Sequence, residues 1–115
     1  MALHYNLAKV YAISENDTDF VVEILKLFVY EVPSDLLEMK EAINQKKHQE
    51  AYSFAHKIKP SLDLLGMTIA YGDSLCIENW TREKGKKKEI KDTFKNLKHH
   101  IEKAVKEIKK DFNLQ

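Results

Sequence analysis

The chain has 115 residues, which is enough for one domain spanning residues 1–115 with a single modest core. Its composition, 43% apolar and 32% charged, is typical of a globular protein and excludes a disordered chain. Cys76 is the sole cysteine, which excludes an intrachain disulfide and predicts a reducing, cytoplasmic compartment. The sequence shows no secretory leader and no apolar run near about 18 residues, so neither secretion nor a membrane span is predicted.

Two helices are predicted in the first part of the chain. The first is short and rests on four apolar positions at helical spacing: Leu3, Leu7, Val10 and Tyr11. Asp17 suits the N-cap of a second, longer helix. The stripe that faces the core in this second helix is predicted to be Phe20, Ile24, Leu27 and Phe28. Pro33 is expected to bend the helix, which ends near Asn44.

Three further helices are predicted in the rest of the chain. The third runs from His48 to Leu65, with Gly66 as its left-handed C-terminal cap. The fourth is marked by Ile69, Gly72, Leu75, Cys76 and Trp80. Gly72 either permits close helix packing there or is simply tolerated. The fifth follows a charged loop centred on Gly85 and has the most regular apolar pattern: Ile90, Phe94, Leu97, Ile101, Ala104 and Ile108.

These elements and the low glycine and proline content predict an all-α fold. The four longer helices are expected to form an up-down four-helix bundle, with the short N-terminal helix added to it. No internal repeat and no second domain is indicated.

His56, in the third helix, is the strongest candidate for a functional residue. Ala55, Ile58 and Leu62 lie on the apolar stripe of that helix, and His56 is one position off it. Its ring is therefore expected at the edge between core and solvent. Lys59 lies one helical turn away on the same outward face. A histidine in this setting is typical of a displayed nucleophile.

The stretch Ala55–Gly66, AHKIKPSLDLLG, resembles the signature of histidine-containing phosphotransfer (HPt) domains, roughly A-H-x-L-K-G-x-x-x-x-L-G. Upstream, Asp17–Phe20 and Pro33 stand where the family shows a D-x-x-F helix start and a mid-helix proline. Downstream, Ser74–Glu78 corresponds to the family's C-x-x-L-E. The resemblance covers nearly the whole chain.

The resemblance implies a phosphoryl-group carrier, which is not an enzyme with turnover of its own. His56 would accept a phosphoryl group from an aspartate of one response-regulator receiver domain and pass it to another, because a neutral imidazole nitrogen is a good nucleophile. Lys59 would screen charge on the phosphoryl oxygens. Glu78 stands where the family often has a glutamine or glutamate, which would accept the proton of the far ring nitrogen. A plain surface carboxylate is an equal alternative for Glu78.

The resemblance also implies the partners. They are receiver domains and a hybrid sensor kinase, and the Mg²⁺ and acidic pocket belong to the receiver, so no cofactor or metal is expected in this chain. Ser53, Pro60 and Asp63 are predicted to form part of the docking surface, although Asp63 has a local ion pair with Lys59 as its alternative. A monomer is expected.

Pro60 departs from the family pattern, which has a small residue, usually glycine, at that position. A proline lacks the amide that would bond to the His56 carbonyl, so a helix kink is predicted at His56. The departure leaves a rival reading open, in which the chain is a non-phosphorylatable HPt-like adaptor that docks a receiver domain.

The charge distribution raises a second rival. Residues 82–115 carry 12 basic and 6 acidic side chains, whereas residues 1–81 carry 7 basic and 12 acidic ones. The basic end could attract nucleic acid. However, lysines mixed with acids along an amphipathic helix favour a solvated face, and no nucleic-acid partner is predicted. His4, His48, His99 and His100 are expected to be surface residues.

Overall fold

The computed structural model describes residues 2–115, and five α-helices account for most of them. Their bounds are α1 Ala8–Ile13, α2 Thr18–Asn44, α3 His48–Leu64, α4 Thr68–Arg82 and α5 Lys87–Asp111. No strand is present in this part of the chain. The predicted all-α fold is confirmed, and the predicted ends of α2 and α3 agree with the structure to within one residue.

Two predicted helix caps are present. The Asp17 carboxylate accepts the backbone N–H of Phe20 at 3.2 Å, which satisfies one of the free donors at the start of α2. Gly66 follows α3 with a φ of +64°, and a Cβ there would lie 2.8 Å from the Cβ of Asn6. Gly66 is therefore required both by its backbone conformation and by the close approach of the N-terminal segment.

The first helix is shorter than predicted, because it begins at Ala8 and excludes both Leu3 and Leu7, the latter being its N-cap residue. The backbone N–H groups of Leu3 and His4 instead donate to the Glu107 carboxylate, at 2.8–3.0 Å. The Tyr5 hydroxyl donates to Asp111 at 2.8 Å. The N-terminal segment, residues 2–6, is thus fastened to the end of α5 by two backbone N–H groups and the Tyr5 hydroxyl.

The predicted core face of α2 was correct for Phe28 and Ile24, which pack in the core, and wrong for the other two positions. Phe20 and Leu27 are exposed, and the buried stripe is Val21, Leu25, Phe28, Val29 and Val32. The N-terminal half of α2 is apolar on nearly every side, so spacing alone did not select the face. The helix continues through Pro33 to Asn44, as predicted.

The predicted fourth helix is present, but of the apolar residues that marked it in the sequence only Trp80 is buried. Ile69, Leu75 and Cys76 are exposed, and the side chains that face the core are Ala70, Ser74, Ile77, Glu78, Trp80 and Thr81. A Cβ on Gly72 would meet nothing within 4 Å, so the glycine is tolerated and permits no close packing. Polar side chains can face the core here because each has a partner, such as the Ala55 carbonyl that accepts Ser74 Oγ–H at 2.8 Å.

The four long helices pack mainly in a ring, with contacts between α2 and α3, α3 and α4, α4 and α5, and α5 and α2. The six predicted apolar positions of α5 are all buried, because they form a single stripe and charged residues occupy the other sides. None of the helices in residues 2–115 is long and apolar enough to cross a membrane.

Candidate functional site

His56 lies at the α3–α4 seam with its ring turned outward. Ala55, Ile58 and Leu62 anchor α3 in the core, and the His56 side chain, one position off their stripe, is 62% exposed. The predicted edge position is therefore confirmed. Exposure leaves the ring accessible to another protein.

Glu78 reaches His56 from α4. Its Oε2 lies 3.0 Å from Nδ1 of the His56 ring, and its Oε1 accepts from Lys59 Nζ at 2.8 Å. The Glu78 side chain is only 1% exposed, so the surface-carboxylate alternative was wrong. A carboxylate is costly to bury unless both oxygens are paired, and here each oxygen has a cationic or N–H partner.

This arrangement determines how the imidazole presents itself. A carboxylate can only accept, so Nδ1 of His56 carries the proton in the bond to Glu78. The lone pair of the neutral ring is then at Nε2, for which no hydrogen bond occurs within residues 2–115. The geometry leaves a nucleophilic nitrogen facing away from Glu78.

Tyr52 and Arg82 form the other side of the site. The Tyr52 ring stacks on the His56 ring, with centroids 5.6 Å apart and planes 11° from parallel. The Arg82 guanidinium lies 5.2 Å from the centre of the Tyr52 ring, and Nη2 donates to the tyrosine hydroxyl at 3.3 Å. No role for Arg82 was predicted from the sequence. The four-residue spacing of Tyr52 and His56 was the available signal for the stack.

Lys59 is placed differently from either sequence-based expectation. Its side chain is 15% exposed, so it is not an open charge on the outward face. Its partner is Glu78, and the alternative pair with Asp63 was wrong because Asp63 Oδ1 accepts from Lys9 Nζ at 2.8 Å. Lys59 therefore contributes its charge first to the buried Glu78 carboxylate.

The three predicted docking residues are all accessible. Ser53 and Pro60 are exposed and Asp63 is more than half exposed, and they lie on the same helix as His56. The Ser53 hydroxyl donates to the Gln49 carbonyl at 3.1 Å. Pro60 lies within α3, whose helical span continues to Leu64.

A second cross-helix ion pair lies beside the site and was missed from the sequence. Lys57 Nζ donates at 2.9 Å to Asp35 of α2, whose side chain is largely buried. This hydrogen bond with Asp35 raises the pKa of Lys57. Lys57 and Lys59 thus tie α3 to α2 and to α4, and both ties are made within three residues after His56.

The remaining histidines show no metal site. Within residues 2–115, no three histidine, cysteine, aspartate or glutamate side chains come together in a way that could hold a metal ion. His48 is not the simple surface residue that was predicted. Its Nε2 lies 2.9 Å from the Gly85 carbonyl oxygen, and its ring packs 4.8 Å from Trp80.

Comparisons of the chain with protein-family models, with curated proteins and with solved structures find no match. The chemistry of the site is therefore inferred from the residues around His56 and from the motif that surrounds it in the sequence.

Proposed function

We propose that this chain is a histidine phosphotransfer protein of a multistep phosphorelay. It would accept a phosphoryl group on His56 from a receiver-domain aspartate and pass it to another receiver. The observation that carries the proposal is the hydrogen bond between Nδ1 of the exposed His56 ring and the buried Glu78 carboxylate, at 3.0 Å. It directs the free lone pair of the ring outward, as in-line attack on a partner's phosphate requires.

In the proposed reaction, His56 Nε2 attacks the phosphorus of a receiver's aspartyl phosphate. The N–P bond forms as the P–O bond to the aspartate breaks, and the aspartate leaves as a carboxylate. The ring gains positive charge, which the Glu78 carboxylate at Nδ1 stabilises without removing the proton. Reversal of the same step on a second receiver passes the group on.

Lys59 has a supporting role in this proposal. With Nζ 2.8 Å from Glu78, it holds the carboxylate in place and offsets the cost of burying it. It also adds positive charge beside the ring, where phosphoryl oxygens would arrive. Mg²⁺ and the acidic pocket would be supplied by the receiver, and a hybrid sensor kinase would be a further partner.

The finer architecture belongs to the same proposal. We infer an up-down four-helix bundle of α2–α5 with α1 added, forming a single domain that acts as a monomer in the cytoplasm. Each long helix packs mainly against two others, and the connections between them are only three or four residues long. Such short connections favour antiparallel neighbours.

The rival proposal is an HPt-like adaptor that docks a receiver without accepting a phosphoryl group. Pro60, on the same helix as His56, is the feature that favours it, because a proline restricts the local backbone and changes the surface offered to a partner. The two proposals differ in one outcome, the appearance of phosphohistidine.

The test is transfer from a phosphorylated receiver domain to the wild type, His56→Gln and His99→Gln. His99 is an exposed histidine of α5 and serves as the matched control. Label that is acid-labile and base-stable is expected on the wild type and on His99→Gln and absent from His56→Gln. If no receiver in a panel from the same organism labelled the folded wild type, the adaptor proposal would be favoured.

A further inference from the structure

A groove runs along the α2–α5 seam, which shares no helix with the α3–α4 seam that holds His56. It consists of two adjoining cavities of about 520 and 350 Å³, both lined by Lys40 and Phe94. Together they extend along α5 from Lys87 to Lys109. At a rise of about 1.5 Å per residue, the groove is about 33 Å long.

The floor of the groove is apolar. Its side chains include Val29, Leu36, Leu37, Phe94, Ile101 and Val105. Leu37 is 68% exposed, although its neighbour Leu36 is buried. A leucine left open beside a cavity of this size forms part of a continuous apolar strip, which is the kind of surface that another molecule covers.

The rim of the groove is strongly basic. Seven lysines line it: Lys40, Lys87, Lys88, Lys91, Lys98, Lys106 and Lys109. Glu102 is the sole acidic residue in the lining. None of the seven lysines forms an ion pair with a carboxylate in residues 2–115.

The charges of α5 are therefore sorted in space, although they are mixed in the sequence. The remaining acids of the helix, Glu89, Asp92, Glu107 and Asp111, lie outside the lining, together with Lys95, Lys103 and Lys110. The expectation of an evenly solvated face holds for that outer side. On the groove side, unneutralised positive charge flanks an apolar floor.

We propose that the α2–α5 groove binds an acidic amphipathic helix of a partner protein. A helix of about 20 residues matches the length of the groove. Its apolar side would pack on Leu37, Phe94 and Val105, and aspartates and glutamates along its edges would meet the lysines. The proposal goes beyond phosphotransfer and does not depend on it, because none of the lining residues belongs to α3 or α4.

Other occupants fit the groove less well. A nucleic acid would leave the apolar floor uncovered and would favour arginine forks, and no arginine lines the groove. A fatty acid would be buried in a closed pocket, whereas most of the rim lysines here are exposed.

The test uses a fluorescent peptide of about 20 residues, with leucines on one helical face and glutamates on the other. Saturable binding measured by anisotropy is expected, and it should weaken as salt rises because the charges are screened. Two control peptides, one with lysine for each glutamate and one with serine for each leucine, are expected not to bind. Failure of the acidic peptide to bind at millimolar concentration would overturn the proposal.

Matched variants of the full chain locate the site. Lys98→Glu combined with Lys106→Glu reverses two groove charges, and Lys95→Glu combined with Lys103→Glu makes the same change outside the groove. The first pair is expected to weaken peptide binding by about tenfold and the second by less than about twofold. Leu37→Ser, a change at an exposed position, is expected to weaken it as well.

The remaining outcomes each oppose the proposal. Equal losses of peptide affinity in the two double variants would show that the peptide is attracted to positive charge anywhere on the chain and that the groove is not its binding site. Tighter binding to duplex DNA or to anionic phospholipid vesicles than to the peptide would assign the lysines to those ligands. Concentration-dependent dimerisation in sedimentation, abolished by Leu37→Ser, would assign the groove to a second copy of the chain.

Discussion

Glu78 is the residue on which the local structure around His56 depends. Its carboxylate is almost completely buried, and it joins α4 to two side chains of α3, His56 and Lys59. A buried ion pair adds little stability compared with apolar residues of the same volume, but a single buried charge left without its partner is strongly destabilising. A single substitution that removes only one of these paired charges is therefore expected to lower the stability of the protein.

Glu78→Ala should lower the free energy of unfolding by about 3 kcal/mol, because Lys59 would keep a largely buried ammonium without a partner. Lys59→Met combined with Glu78→Leu should recover most of this loss, since both charges are then removed. Urea denaturation measures both effects. Glu38→Ala, at an exposed position of α2, is the control and should change stability by less than about 0.5 kcal/mol. A double variant as unstable as Glu78→Ala would contradict the prediction.

The sequence predicted which residues lie near His56 better than it predicted their partners. The helical period was enough to place the His56 ring at the edge of the core, and Glu78 was found only through the family resemblance. Lys59 could be paired from the sequence only with a residue of its own helix, Asp63. Its true partner, Glu78, depends on the register between α3 and α4. The pairing of Lys57 with Asp35 likewise depends on the register between α2 and α3. The spacing of residues within one helix contains no information about either register.

At the level of helices, the same limit explains which faces were predicted. In α5 the apolar residues form one stripe and charged residues fill the rest, so a single face can be buried. In α2 the exposed Phe20 and Leu27 and the buried Val21 and Leu25 are equally apolar. Only packing against α3 and α5 selects between those faces. In α4 the paired polar residues Ser74 and Glu78 take core positions that a hydrophobic pattern assigns to leucines.

Pro60→Ala tests the cost of the proline in α3. An interior helical proline is less favourable than alanine by about 3 kcal/mol. A proline also restricts the unfolded chain, which offsets up to about 1 kcal/mol of this cost. The variant should therefore raise the free energy of unfolding by about 2 kcal/mol, because it restores an amide donor for the His56 carbonyl. The midpoint of urea denaturation measures the change.

Ser53→Ala, at an exposed position two turns earlier in the helix, is the control and should change stability by less than about 0.5 kcal/mol. A Pro60→Ala protein no more stable than the wild type would mean that the surroundings already compensate for the missing bond.

At the level of the whole molecule, the chain presents two surfaces on seams that share no helix. The α3–α4 seam holds the exposed imidazole with its buried carboxylate, and the α2–α5 seam holds the basic groove. The N-terminal segment connects the two sides at one end, because Asn6 donates to the Leu65 carbonyl at 2.7 Å while Leu3 and His4 donate to Glu107 of α5. Neither fastening was predicted, since backbone donors that bind a distant carbonyl or carboxylate leave no periodic signal.

The hydrogen bonds to Glu107 predict that the fastening of this segment depends on pH. Hydrogen bonds from the backbone N–H groups, first that of Leu3 and then that of His4, lower the pKa of Glu107 below its ordinary value of about 4.5. A carboxyl group whose pKa is lower in the folded state stabilises that state above its unfolded pKa, and this contribution is lost as the pH falls through the folded pKa. Glu107→Gln should therefore be less stable than the wild type at neutral pH, and the difference should shrink once the pH falls below about 4.5. Thermal unfolding at a series of pH values measures the difference, and amide hydrogen exchange at Leu3 and His4 shows directly whether the segment is released.

Glu102→Gln changes a glutamate of the same helix that has no bond to the segment, so its stability difference should not vary with pH in this way. If Glu107→Gln left both amides as protected at neutral pH as in the wild type, the segment would be held by packing of Tyr5, and the carboxylate would not be what fastens it.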